Sequence, residues 1–523
     1  MMTITQTILL LESEIVSFSF ELTRKKTDVE LFLLGKRLNS ILTILKMSIF
    51  SCDDHPSIHS LVSVLVRLYR LIAFTRDIRA GKGERDLTYM MIYEWSIFFP
   101  IPAWMALQAC VEWFGSWKDI RGFCNYVRKR SPKGMADPLI DECVRFLNDQ
   151  LESDISRLNR GLSTSLVCKW IPREGSAFSW LHEKCFREWT TRRVFCSFSK
   201  RDYRQLISRL CQTKHIVEIK QCSKNWASID PRKVPFRTML LQRNAFLRYG
   251  GNADRSQCAA RFSDFFGLEE EHGCESATID KRPMAVSLGS VIRLQNEDVW
   301  TEIAHNLQPI SFLPFLDVSM KQDPNYMDAV GMALMIAQKS TFGKRMMIYD
   351  HQPDWLSLEG CTTMSSMLRV LDRESAGKGV GSMVSCAVDF LLNSFVETHH
   401  PRENLAQTMT LVFFTNQCPK LLEEQVVQRF TAWGFSCPSI LVWNIFSSSS
   451  IGTTSCSSST STIKMISGNS SAILSSLCNN TDVDVLSFSA SSSFHLLCKL
   501  LDAPRYRLME RNIRSIIAGS DCV

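Results

Sequence analysis

From Gly289 onward the sequence alternates short apolar runs with amphipathic stretches, and few architectures accommodate that alternation. The run ISFLPFLDVSM is followed by NYMDAVGMALMIAQKS, then KRMMIYD, GSMVSCAVDFLLNSFVE, MTLVFFTN, KLLEEQVVQRFTAWG and SILVWNIF. Short apolar runs read as buried strands, and longer segments with apolar residues three and four apart read as helices. Strands alternating with helices predict an α/β, Rossmann-like, doubly wound parallel sheet, with functional loops at the carboxyl ends of its strands. TIKMISGNSSAILSSL predicts a further strand, turn and helix, after a serine- and threonine-rich stretch at 447–462 that reads as a surface loop or disordered insert open to phosphorylation.

The period is different before Gly289. In SIHSLVSVLVRLYRLIAFTRDIR, Leu61, Val64, Leu65, Leu68, Leu71 and Ile72 recur at helical spacing and predict a helix with one buried stripe. Ala80-Gly81-Lys82-Gly83 breaks the pattern, with Gly81 or Gly83 suited to a left-handed C-cap, and a second helix is expected from about Glu84. Pro100 and Pro102 end that helix; AWMALQACVEWFG predicts a third, SWKDIRGFCNYVRKR a fourth capped by Ser116, and ADPLIDECVRFLNDQLESDISRL another. Short helices joined by tight turns predict stacked helical hairpins, an α-helical solenoid or ring.

These segments suggest an N-terminal extension over 1–55, a helical region over 56–288, an α/β domain over 289–500 and a terminal amphipathic helix over 501–523. At 523 residues, 45% hydrophobic and 22% charged, the chain is long enough to bury a sizeable core. A net charge of +7 permits contact with nucleic acid without demanding it. The 19 cysteines are scattered through apolar segments with no CxxC, which predicts reduced thiols in an intracellular, cytoplasmic protein. The N-terminus lacks a basic segment before its apolar patch, and no uninterrupted apolar run reaches membrane-spanning length, so neither a signal peptide nor a span is expected.

Taken in order, several motifs resemble a family with a TROVE-like helical region followed by a von Willebrand factor A (vWA) domain. The motifs are TRDIRAGKGERD, WFGSWKDI, KWIPREGSAF, YRQLISRL with HIVEIKQCSKNWASID, LDVSM, and LVWNIF. The family comprises plant, fungal and large-DNA-virus proteins of unknown function and is more distantly similar to the Ro ribonucleoprotein autoantigen. The resemblance spans roughly residues 60 to 500. It implies a helical ring or solenoid able to hold RNA, with a vWA domain that closes the ring or recruits a protein partner.

A vWA domain of this kind holds Mg²⁺ on hydroxyls and carboxylates from three loops. Asp317 and Ser319 match the first two ligand positions, Lys321 replaces the next serine, Ser382 stands for the threonine, and Thr415 falls where the last aspartate belongs. A site that gains an ammonium and loses a carboxylate is a poor home for a divalent cation, so no cofactor is expected. Two roles for Lys321 remain open: its ammonium takes the cation's place beside Asp317, or it points to solvent while Asp317 caps the following helix.

TRDIRAGKGERD lacks the GxxxxGK[ST] spacing of a phosphate loop, and reads either as a helix corner in which Arg79, Lys82, Glu84, Arg85 and Asp86 pair, or as a nucleic-acid contact. No GxSxG or HExxH motif supports an enzyme. Between Lys184 and Arg209, cations interleave with aromatics of the set Trp180, Phe186, Trp189, Phe195, Phe198 and Tyr203, which makes Arg187, Arg192, Arg193, Lys200, Arg201 and Arg204 the candidate RNA contacts. The leading expectation is a non-catalytic RNA- or ribonucleoprotein-binding protein. The alternative is a protein scaffold or virion-associated structural protein. Convergence of those cations on one surface would favour RNA; pairing with acids would favour scaffolding.

Overall fold

A computed structural model describes the chain apart from residues 1–2, 24–25, 53, 193–197, 215, 235, 251, 266–286, 380, 399–408, 447–462, 479–492, 510–512 and 514–523. The 447–462 insert, Arg193, Phe195 and most of the expected C-terminal helix therefore lie outside the described residues. Helical segments precede an α/β region, as the periodicity predicts. Contacts divide the folded chain differently from the sequence-based boundaries. One compact unit joins 1–114 to 283–523, and 115–282 forms a second.

The first unit opens with α1 (Ile4–Glu21) and α2 (Asp28–Phe50), each started by a capping box, Thr3 with Gln6 and Thr27 with Glu30. In α3 (His55–Arg76) the Asp54 carboxylate caps the first turn and Pro56 occupies it. The stripe of Leu61, Val64, Leu65, Leu68, Leu71 and Ile72 is buried throughout. By length and composition α3 could cross a membrane, but it is largely enclosed as a core helix of this unit.

The corner between α3 and α4 (Asp86–Phe98) uses its two glycines for different reasons. Gly83 has a φ of +72°, the left-handed conformation expected at one of them. Gly81 is held by close packing, since a Cβ there would stand 2.1 Å from the Phe74 carbonyl oxygen. After α4, α5 (Pro100–Ala109) runs into a π-helical turn at Cys110–Phe114.

The second unit contains α6 (Lys118–Arg130), α7 (Pro138–Asn159), α8 (Val167–Trp170), α9 (Ser179–Thr191), α10 (Lys200–Gln212), α11 (Val217–Cys222), α12 (Phe236–Phe246) and α13 (Ala253–Phe265). At the start of α6 the N-cap position is Trp117, which makes no side-chain cap bond, and not the expected Ser116; the Asp119 carboxylate reaches back to accept from the Ser116 N–H. A separate apolar cluster of Val217, Ile229, Val234, Met239, Phe246, Cys258 and Phe262 holds α11 to α13 together.

The α/β part of the first unit follows, with α14 (Leu288–Arg293), α15 (Glu297–His305), β1 (Phe312–Asp317), α16 (Tyr326–Lys339), β2 (Arg345–Tyr349), β3 (Asp354–Ser357), α17 (Met364–Glu374), α18 (Val384–Glu397), β4 (Thr410–Phe414), α19 (Pro419–Ala432), β5 (Ser439–Asn444), β6 (Ile463–Ser467), α20 (Ser471–Cys478) and α21 (Ser493–Leu501). The six strands form one sheet in the order β3-β2-β1-β4-β5-β6. All pairings are parallel except β2 with β3, so the sheet is mixed where a wholly parallel one was expected. β3 is short and half-buried and follows β2 through a tight connection, a geometry only antiparallel strands can use. β1, β2, β4 and β5 are buried on nearly every residue, as strands covered on both faces must be.

The N-terminal helices belong to the α/β body because the end of α1 docks on β5 and β6. A helix leaves its last carbonyls without helical partners. Here Ser467 Oγ donates to Ser19 O at 2.7 Å, Asn444 Nδ2 to Phe20 O at 3.2 Å, and Lys82 Nζ to Ser19 O and Leu22 O at 2.7 and 3.2 Å. Lys82 therefore points into the interior and does not pair across its own corner.

Candidate functional site

The chain leaves β1 outward to β2, then returns past β1 to β4, so the carboxyl ends of β1 and β4 flank a switch point. Asp317 ends β1 and Thr415 follows β4, and this topology alone brings them together across nearly a hundred residues. Ser382 arrives from the loop before α18. That loop is tethered by Asp350 at the end of β2, whose side chain accepts from Gly379 N and Gln352 N at 2.7 Å each and whose carbonyl accepts from Met383 N. Burial pushes the Asp350 carboxyl up, but those N–H donors with His351 and Lys378 outweigh it and hold it below its ordinary range.

Asp317 is fully buried, and four donors surround its carboxylate. Ser319 N and Ser319 Oγ reach Oδ1 at 3.1 and 2.6 Å, while Ser382 Oγ and Thr415 Oγ1 reach Oδ2 at 2.8 and 3.0 Å. Gln417 extends the network, donating from Nε2 to Ser382 Oγ at 2.9 Å. Desolvation raises the Asp317 pKa, opposed by the three hydroxyls. Behind it, the buried Tyr349 phenol is held neutral by desolvation and then by the Asp317 charge.

Four of the five positions assigned to this site thus converge, and Lys321 does not. The turn Val318–Gln322 swings it away, and its Nζ donates to Ser375 O at 2.5 Å. Among the described residues no ion pair joins Lys321 to Asp317, so the proposed substitution of an ammonium for the cation is corrected: hydroxyls occupy both carboxylate oxygens. Lys321 does not point freely to solvent either. Asp317 does cap the turn that follows it.

The cluster between Lys184 and Arg209 folds as an acid-paired surface. Arg187 pairs with Glu183 at 3.1 Å, Lys200 with the same carboxylate at 2.7 Å, and Arg204 with Glu174 at 2.8 Å. Arg192 is engaged by Asp149 and Glu188 together. Lys184 reaches Asp141 at 2.5 Å. Arg201 is exposed beside Asp202, and Arg193 lies outside the described residues. Of the described aromatics, Trp189 and Tyr203 are buried with ring centroids 5.7 Å apart, sealing α9 against α10, while Phe198 is half-buried. Expecting one exposed cationic and aromatic surface here was therefore wrong. Helical spacing placed Trp189 and Tyr203 in the core and carboxylates beside the cations.

Sequence reasoning passed over Asp77 and Gln417, and misplaced Lys82. Asp77 is buried and accepts from Arg505 Nη2 at 3.0 Å, Tyr506 OH at 3.1 Å and Arg79 N at 2.9 Å. Its sequence signal was its place in TRDIRAGKGERD, at the end of α3.

A relative in Acanthamoeba polyphaga mimivirus, "Uncharacterized protein L728", is 20% identical over 413 residues, covering 72% of this chain and 70% of its own length. No family model matches the sequence, and no solved structure matches it.

Proposed function

We propose that this is a non-catalytic nucleic-acid-binding protein of the TROVE-like and vWA-like type, in which the helical unit takes RNA and the α/β unit engages a protein partner inside the cell. The observation that carries the reading is charge segregation between the two units. Residues 115–282 contain 31 Lys and Arg against 20 Asp and Glu, whereas the remaining residues contain 29 against 33. A chain with a modest overall charge therefore concentrates its positive excess in one compact helical body, the electrostatic footprint of a polyanion binder.

The vWA-like site enters this reading as a closed, metal-free latch. It offers one carboxylate, whose two oxygens already take four donors. Magnesium prefers near-octahedral oxygen coordination, and this donor set does not fit it. The hydroxyls instead tie the β1, β4 and Ser382 loops into one rigid rim on which a partner can dock.

Acid pairing of the Lys184–Arg209 cations favours a second reading, a scaffold making only protein contacts. Fluorescence anisotropy with a mixed-sequence RNA over a salt series separates the two. Binding that weakens steeply with salt supports the RNA reading, because phosphate neutralisation releases counterions. No binding at low salt leaves the scaffold.

A further inference from the structure

We propose that Cys168 and Cys211 form a peroxide-reactive thiol pair, a modification site at which a hydroperoxide closes a disulfide between α8 and α10. The proposal is independent of the nucleic-acid reading and concerns the thiols of the second unit alone.

Both cysteines are free, and local hydrogen bonds bring them together. α8 is four residues long, and its approach is fastened to α7, where the Asp154 carboxylate accepts from Ser165 N at 2.9 Å and Ser165 Oγ at 2.7 Å. The end of α10 is tied to the same segment, because Lys214 Nζ donates to the Thr164 carbonyl. Between these ties the Cys168 thiol donates to the Cys211 sulfur. Cys168 keeps 3% of its surface exposed and Cys211 7%, so neither is sealed off completely.

The shared proton gives the two sulfurs different roles. As acceptor, with Arg173 and Lys169 close by, Cys211 is held below the ordinary thiol range although burial opposes this. As donor, Cys168 is pushed up, further by burial and Asp154 and against Lys214. Part of the Lys169 charge is met by Glu218 at 2.8 Å. A thiolate is the nucleophile toward a peroxide, and a protonated thiol beside it resolves the product. Cys124 on α6 and Cys143 on α7 also meet thiol to thiol, but neither has exposed surface, and burial pushes Cys143 well up. Contact is common to both pairs; the remaining surface and the lowered thiol single out Cys168 and Cys211.

The Cys211 thiolate attacks the distal peroxide oxygen, forming an S–O bond as the O–O bond breaks. Sulfur is oxidised, the peroxide is reduced, and the departing alkoxide or hydroxide takes a proton from solvent. The Cys168 sulfur then attacks the Cys211 sulfenic sulfur, forming the S–S bond and expelling hydroxide, which leaves as water with the Cys168 proton. Two thiols and one hydroperoxide thus give one disulfide, one alcohol or water from the leaving group, and one further water.

The test treats the full chain, reduced and freed of small thiols, with a rising series of hydrogen peroxide, then denatures it in N-ethylmaleimide and digests it with trypsin. We expect Gly161–Lys169 and Leu210–Lys214 to appear as one disulfide-linked peptide, two hydrogens lighter than the sum of the free pair, and dithiothreitol to restore both thiols. Cys124 and Cys143 should still be alkylated at the dose that links half of the chains. Cys168→Ser should leave Cys211 as a sulfenic acid that dimedone captures. Cys211→Ser should slow peroxide oxidation of Cys168 at least about tenfold, because the thiolate is lost. Thermal melts accompany both variants; the wild-type linkage needs neither, so it decides the matter if they unfold. Oxidation of the exposed Cys222 with Cys168 and Cys211 still alkylated would overturn the proposal, as would linkage of Cys211 to any cysteine other than Cys168.

Discussion

The ammonium of Lys82 donates to Ser467 Oγ at 2.6 Å, joining the corner between α3 and α4 to the end of β6. The same nitrogen reaches Ser19 O and Leu22 O, so one side chain closes the carbonyl end of α1, the helix corner and the sheet edge. Ser467 spends its own proton on Ser19 O, which leaves Lys82 facing three acceptors with three N–H donors.

Lys82→Met should cost about 1–3 kcal/mol at neutral pH, because the Leu22 carbonyl loses its side-chain donor in a buried place. Chemical denaturation with two-state analysis measures it. The difference should depend on pH. Burial lowers the Lys82 pKa to about 7, helped by nearby Lys26 and opposed by Glu84. Between that value and the ordinary lysine range the unfolded chain holds a proton that the folded chain lacks. Wild-type stability should therefore rise relative to the variant as pH climbs from 7 toward 10, by at most about 4 kcal/mol and less where the three acceptors favour the ammonium. A difference that stays flat from pH 7 to 10 would refute the titration.

At the end of β1, Asp317→Asn replaces a four-fold acceptor by a group with one acceptor oxygen. The expected loss is about 2–3 kcal/mol, read as a lower denaturation midpoint. Since desolvation raises the folded Asp317 pKa above its unfolded value, acidification should stabilise the wild type through that window, and the gap to the variant should widen as pH falls. Millimolar Mg²⁺ or a chelator should leave the wild-type melting temperature where it is. A clear rise with Mg²⁺ would contradict the metal-free latch.

Gly81→Ala tests packing at the helix corner. The added methyl would meet the Phe74 carbonyl at 2.1 Å, and that backbone oxygen cannot move without disturbing α3. A loss of about 3 kcal/mol or more is expected. Gly161→Ala is the comparison, with φ of +70° but nothing within 4 Å, and should cost about 1 kcal/mol. A loss at Gly81 no larger than that at Gly161 would show that the close contact to Phe74 relaxes and does not hold the corner.

Asp77 binds the segment after α21 through Arg505 and Tyr506. Asp77→Asn keeps the shape and removes the charge, so the segment should loosen and trypsin should cut after Arg505 several-fold faster. Peptide mapping of a time course reads this directly. Because Arg505→Gln removes that cleavage site, the double variant is compared by thermal melts, where Arg505→Gln should add little to the loss from Asp77→Asn because both act on one contact; fully additive losses would mean that the two residues act separately.

Much of the architecture was legible in the residues because local periodicity reports burial. The stripe of α3 and the uninterrupted apolar runs of β1, β4 and β5 predicted the elements that form, whereas only the resemblance to a vWA site pattern, and not spacing, marked Asp317, Ser319, Ser382 and Thr415 as a shared site. Periodicity carries no direction for a long polar side chain, however. Lys321 was free to reach Asp317 or Ser375, and the path of the turn after β1 chose Ser375. Arg192 and Lys200 read as an open cationic surface until α7 and α9 supplied Asp149 and Glu183. The grouping of 1–114 with 283–523 likewise brings Lys82 to Ser467 and Asp77 to Tyr506 across hundreds of residues. The sequence by itself determined which segments become helices and strands, since that choice is made by each segment's own spacing. Only the tertiary structure decided which charges are cancelled and which carbonyls are closed, since those partners come from elsewhere in the chain and are brought near by packing alone.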